Sequence, residues 1–161
     1  YTYYAVPPSA ATSQPAYAFV HVLDLREGWA HCLDLPAPWG AGSQSAIGIA
    51  VSPDGGDLWV TDRELGTVAL VDTEELVVAR TADIDPVLPY STVASAGPDG
   101  HLYVATGKDI TVLGRDTLAV EDTTRLLQSH DEPTPGLRRL VVRATTPAAT
   151  AGRFVLVATR D

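Results

Sequence analysis

The sequence predicts an all-β chain, a β-propeller of four-stranded antiparallel blades. Three observations predict it. A Pro-Asp-Gly turn occurs twice, at Pro53-Asp54-Gly55 and Pro98-Asp99-Gly100, about 45 residues apart, which is a blade-sized repeat. Each turn is followed by a short apolar strand with an aromatic at its centre, Leu58-Trp59-Val60 and Leu102-Tyr103-Val104. Within each unit the strands then pass from apolar to polar.

The clearest unit begins at Ala46. Ala46–Val51 is a short apolar strand, and Ser52–Gly56 is a turn in which Pro presets φ, Asp bonds its own backbone and Gly takes φ > 0. Asp57–Asp62 is the aromatic-bearing strand, and Arg63–Gly66 turns again. Thr67–Asp72 is a third strand, Thr73–Leu76 a third turn, and Val77–Thr81 a fourth, more polar strand.

The second unit repeats this order. Thr92–Ser95 is the first strand, His101–Thr106 the second, and Gly107-Lys108-Asp109 the turn. Ile110–Leu113 aligns with Val68–Val71, and Ala119–Thr123 is the outer strand. Asp122–Ser129 reads equally well as a strand or as a turn or two of helix.

Partial units flank these two. Phe19–Asp24 reads like the third strand of a blade, Trp29–Leu35 like the outer one, and Tyr1–Val6 like the strand before them. Pro7–Pro15 reads as a flexible excursion. Leu137–Arg143 and Phe154–Thr159 read as an inner strand and its neighbour. The chain thus divides into a partial blade over 1–38, full blades over 46–84 and 90–125, and a partial blade over 137–161, all within one propeller domain or fragment. The innermost strands are expected to be covered on both faces and hence continuously apolar, because one blade buries its faces only by stacking on others.

The central units resemble the YVTN-type repeat of the lactonase-like or YncE-like propellers. The match runs through Ser52-Pro53-Asp54-Gly55, Leu58-Trp59-Val60-Thr61-Asp62 and Thr67–Asp72. The second copy departs at Ala96-Gly97 and at Gly114, which stands where Asp72 aligns. The resemblance covers Ala46 to Asp122 and implies the fold; the repeat residues are structural and carry no activity. The strands read as three, four, four and two. A closed ring needs about four blades of four strands, so about three to four blades of an incomplete ring are expected. The missing blades would come from the rest of the native chain or from another chain. The absence of Met fits a processed or truncated product.

Composition narrows the function. The net charge of −9 repels phosphate backbones, so nucleic acid is not an expected partner. Apolar runs of about five residues are far short of the ~20 that span a bilayer, so no membrane insertion is expected. The single Cys32 excludes an internal disulfide framework, and its neighbours Ala30 and Leu33 suggest a buried thiol. The four His (His21, His31, His101, His130) do not converge, and neither a metal site nor a cofactor is expected. No nucleophile elbow or phosphate loop is present.

In such a fold the turns between second and third strands share one end of the channel with the loops that enter the inner strands. That end is the expected binding face. It gathers Asp62, Arg63 and Glu64, with Lys108 and Asp109 one blade on, Tyr90 entering one inner strand and His130 entering the last. Solvated turn residues are the plain alternative. Asp54 and Asp99 fall at the other end, as turn residues. The expected function is a non-catalytic binding or scaffolding propeller that takes a protein or a small polar ligand at the channel mouth. The resemblance implies a cell-envelope or secreted, bacterial setting. The alternative is a fragment of a propeller enzyme, either a lactonase-like hydrolase or a quinoprotein-type dehydrogenase, with its site at the same mouth.

Overall fold

The computed structural model describes residues 1–87, 92–106 and 109–125, together with the backbone of Arg139–Ala144 and Phe154–Thr159. Four antiparallel meanders follow one another. The first sheet is β1 (Thr2–Val6), β2 (Tyr17–Asp24) and β3 (Trp29–Leu35). The second is β4 (Ile47–Val51), β5 (Asp57–Asp62), β6 (Thr67–Asp72) and β7 (Val77–Asp83). The third is β8 (Thr92–Ala96), β9 (Leu102–Thr106), β10 (Asp109–Leu113) and β11 (Val120–Arg125). The fourth pairs β12 (Arg139–Ala144) with β13 (Phe154–Thr159). This is a partial β-propeller, and Asp122 belongs to a strand rather than a helix.

The sheets pack face against face, and strand alternation divides the apolar residues of the second sheet between two cores. Leu58 pairs with Val71 and Val60 with Ala69. These four side chains meet Ala18, Val20, Val22, Leu33, Leu35 and Trp39 of the first sheet and its exit loop. Trp59 pairs with Leu70, and both face the other way, onto Leu102, Val104, Leu113 and Leu118 of the third sheet. A strand covered on both faces must be apolar at every position, which is why Leu58-Trp59-Val60 lacks alternation.

The inner strands are less covered than the sequence suggests. β5, β6 and β9 are almost wholly buried, while β8 is largely half-buried and β4 mixes buried, half-buried and exposed residues. Among the described residues β4 pairs only with β5 and β8 only with β9, and β4 lies beside β8 and β8 beside β12. The outer strands β7 and β11 are mostly exposed, as their polar composition requires.

Two local readings change, at Cys32 and Asp109, and the first long loop gains a closing bridge. Cys32 is exposed rather than buried, because on the outer strand β3 only Leu33 and Leu35 reach the core. The Pro7–Pro15 excursion is closed by Ser9 and Gln14, which exchange backbone hydrogen bonds of 2.9 and 3.2 Å. Asp109 opens β10 instead of sitting in the turn before it, since it pairs with Thr106 on one side and Arg125 on the other.

The two Pro-Asp-Gly hairpins share one backbone. Gly55 donates to the Ser52 carbonyl at 2.9 Å and Gly100 to the Gly97 carbonyl at 3.1 Å, with φ of +81° and +82°. Both glycines take the left-handed conformation that other residues reach only at a cost. In the first hairpin Ser52 Oγ donates to Asp54 Oδ1 at 2.6 Å and accepts from the Asp57 N–H at 2.9 Å. Gly97 cannot supply these bonds, and Asp99 Oδ2 accepts from the Tyr103 hydroxyl instead, at 2.7 Å.

The face of the first sheet turned away from the second is aromatic. Tyr4 stacks on Phe19 with centroids 5.3 Å apart, Tyr17 follows at 6.5 Å, and His21 meets Tyr4 edge-on. Tyr4 and Tyr17 remain exposed.

Candidate functional site at the channel mouth

Register fixes which segments share the candidate end. Ile47, the first residue of β4, pairs with Asp62, the last of β5, and Asp62 pairs with Thr67, the first of β6. The loop that enters the second sheet, the Arg63–Gly66 turn and the exit from β7 therefore lie together.

Asp62 is 0% exposed. Its Oδ1 accepts the N–H groups of Glu64 and Leu65, both at 3.0 Å, which builds the turn. Its Oδ2 is buried with no hydrogen-bond partner among the described residues. Burial pushes this carboxyl above the usual carboxylate range, the two N–H groups oppose the shift, and the charge of Glu64 adds to it. Gly42 makes the close cover possible, since a Cβ there would come within 2.7 Å of Oδ2. Across the interface, the Tyr3 hydroxyl is pushed up to about 12 by burial and by the negative charge of Asp62.

Arg63 is 5% exposed. Its N–H donates to the Ala46 carbonyl at 3.0 Å, and its carbonyl accepts from Val87 at 2.7 Å. The residue is thus clamped between the segment that opens the second sheet and the one that leaves it. Its Nε and Nη1 are buried without a partner among the described residues. Burial pushes the guanidinium pKa down, and the carboxylate of Asp85 acts against that. A guanidinium stays charged in proteins, so it carries its desolvation cost in full. Asp62 acts on Tyr3 of the first sheet and Arg63 feels Asp85 on the link toward the third, so the two neighbours serve opposite sides of the blade.

Glu64 stays exposed, and its Oε2 accepts the Ser43 N–H at 2.7 Å. Ser43 Oγ lies 2.9 Å from Ser45 Oγ. Asp62 and Arg63 are therefore buried groups, whereas Glu64 is the solvated turn residue that the plain alternative expects of all three. Asp109 lies at the same end, but its Oδ1 faces Arg125 Nε at 3.5 Å on the outer strand. By register the counterpart of Asp62 in the third sheet is Thr106, buried with its Oγ1 3.3 Å from that of Thr92. Tyr90, Lys108 and His130 lie outside the described residues. Among the described residues no three His, Cys, Asp or Glu side chains come together to hold a metal ion, and no helix is long and apolar enough to cross a membrane.

A second polar cluster, at the opposite end, was not singled out from sequence. A cleft of about 340 Å³ opens between the two Pro-Asp-Gly turns, with Trp59 and the Asp57–Arg115 ion pair (2.5 Å) in its lining. Beside it His101 Nε2 lies 2.9 Å from Glu121 Oε2 and Nδ1 lies 3.2 Å from Asp99 Oδ2. The Tyr103 hydroxyl is pushed above its ordinary value by burial and by Asp99. The signal for this cluster was the shared position of Asp54 and Asp99 in adjacent blades.

No protein-family model matches the chain, and no curated protein matches it. Solved structures do, and they are β-propeller proteins. Sqt1 of Saccharomyces cerevisiae aligns over 96% of this chain and 41% of its own, at 11% identity and a TM-score of 0.57. Hydrazine synthase of Kuenenia stuttgartiensis aligns over 67% of this chain and 31% of its own, at 20% identity and a TM-score of 0.50. Virginiamycin B lyase from Staphylococcus aureus aligns over 76% and 39%, at 16% identity and a TM-score of 0.44. The likeness is one of fold. The chain spans 31, 39 and 41% of the length of hydrazine synthase, virginiamycin B lyase and Sqt1, respectively.

Proposed function

We propose that the chain belongs to a non-catalytic binding or scaffolding propeller of the cell envelope or of secreted material, and that it holds a small polar ligand or a protein segment at the channel mouth. The observation that carries this reading is that two successive residues at one blade end, on opposite sides of it, keep buried groups with no partner among the described residues: Asp62 Oδ2 and Arg63 Nε and Nη1. Leaving a buried polar group unpaired costs about 1–3 kcal/mol, more when it is charged. A ligand that supplies the missing bonds would recover that cost. The compartment rests on the YVTN-type resemblance alone.

The same reading includes further blades, from the same polypeptide or from another chain. Two features support them: the uncovered aromatic face around Tyr4 and Phe19, and a chain that spans less than half of similar solved chains.

The test is a thermal-shift screen of the purified chain against small polar compounds and short peptides. A ligand present at 100 times its dissociation constant stabilises by about 2.7 kcal/mol. Asp62→Asn and Arg63→Gln are expected to reduce that shift, and Glu121→Gln at the other end to preserve it. A ligand whose shift survives both mouth substitutions, or one that is turned over, refutes the reading.

A further inference from the structure

The structure assigns Arg63 a specific task within the channel-mouth reading, on which this inference rests: it is the anchor for a singly charged carboxylate. The backbone of Arg63 is held on both sides by Ala46 and Val87, which fixes the point from which the side chain extends before any ligand arrives. Nε and Nη1 are buried and, among the described residues, unpartnered, and the residue as a whole is 5% exposed. An arginine presents planar N–H donors that match the two oxygens of a carboxylate, and such charge-assisted bonds are the strong ones.

The surroundings select the charge of the guest. Asp62 and Glu64 flank Arg63 in the sequence, the charge of Asp85 acts on its guanidinium, and the chain carries a net charge of −9. Each added negative charge on a ligand meets this field again, so a monoanion is favoured over a phosphate dianion or a dicarboxylate. Asp85 is exposed and its charge acts on the guanidinium, which makes it the internal competitor of the guest. The source of the carboxylate is either a free small acid or the C-terminus of a peptide.

The experiment follows the arginine Nε–H signals of the labelled chain by NMR during titration with acetate, with trialanine, with C-terminally amidated trialanine and with inorganic phosphate. The Arg63 Nε–H signal is expected to move saturably with acetate and trialanine, and to stay in place with the amidated peptide and with phosphate. Tighter binding of trialanine than of acetate assigns the peptide source, and equal or weaker binding assigns the small acid. Arg63→Lys is expected to weaken binding about tenfold, since one ammonium cannot make the paired contact. Asp85→Asn leaves the Arg63 mount untouched and is expected to strengthen binding several-fold; unchanged or weaker binding overturns the assignment. A mouth ligand that leaves the Arg63 signal unmoved overturns the carboxylate role while the wider binding reading stands. A screen in which nothing binds overturns both.

Discussion

His101 Nε2 lies 2.9 Å from Glu121 Oε2, so the residue that leads into β9 is tied to the outer strand β11 across the intervening β10. The contact closes the lower end of the third sheet, where Gly97 has replaced the serine that braces the equivalent hairpin. His101 and Glu121 are each partly exposed, which limits the worth of the pair. A double-mutant cycle with His101→Ala and Glu121→Gln, read by urea unfolding, is expected to give a coupling of about 0.3–1 kcal/mol. Coupling indistinguishable from zero would mean that the tie contributes nothing to folding.

The buried carboxyl of Asp62 sets a pH dependence whose sign can be worked out. Its folded pKa is raised above the ordinary 3.8, so the folded state keeps the proton to higher pH than the unfolded chain does. Stability from this group is greatest below the ordinary value and falls as pH rises toward the folded value. Asp62→Asn keeps an oxygen for the Glu64 and Leu65 N–H groups and carries no charge. It is expected to flatten the stability profile above pH 3.8 and to raise stability at pH 7 by about 1 kcal/mol. Urea midpoints measured from pH 4 upward check both; an unchanged slope would count against the burial of an ionised group.

Leu58 and Trp59 are consecutive and serve different interfaces. Leu58→Ala is expected to cost about 2–5 kcal/mol and Trp59→Ala about 3–5 kcal/mol. The sharper readout is spatial. Backbone amide shifts should spread from Leu58→Ala to Val20 and Leu33 in the first sheet, and from Trp59→Ala to Leu102 and Val104 in the third. Overlapping footprints would contradict two separate cores.

Two glycines with similar backbone angles are expected to respond differently to alanine. Gly55 has φ +81° and open space where a Cβ would go, so Gly55→Ala should cost about 1–2 kcal/mol from the left-handed backbone alone. Gly66 has φ +68°, and a Cβ there would collide with the Ile84 carbonyl oxygen. Gly66→Ala should therefore cost more than Gly55→Ala by at least about 1 kcal/mol. Equal losses in thermal unfolding would show that the Ile84 carbonyl yields freely.

The repeat was legible because its residues act locally. Pro53-Asp54-Gly55 and Pro98-Asp99-Gly100 form their own turns, and Leu58-Trp59-Val60 is apolar throughout because it has a sheet on each side. The location of Asp62 and Arg63 at a blade end followed from strand order. Their burial did not, since it depends on Gly42 folding over one and on Ala46 and Val87 clamping the other, at separations no local pattern encodes. Cys32 departs from its expected burial for a related reason: its apolar neighbours describe the sequence around it, whereas exposure depends on which face of an outer strand finds a covering sheet. The His101–Glu121 and Asp57–Arg115 pairs join strands that only the assembled blades bring together.

The double-sided burial of β5 has one more consequence. In most strands a slip of one residue puts apolar groups into water, and solvent forbids it. In β5 a slip would only exchange one greasy lining for another, so water is a poor judge of alignment there. The task passes to size, because an indole and an isobutyl group cannot trade places in packed cores, and to the aspartate-braced turns at Ser52–Asp57 and Asp62–Leu65, which hold the strand like stops at either end of a slide.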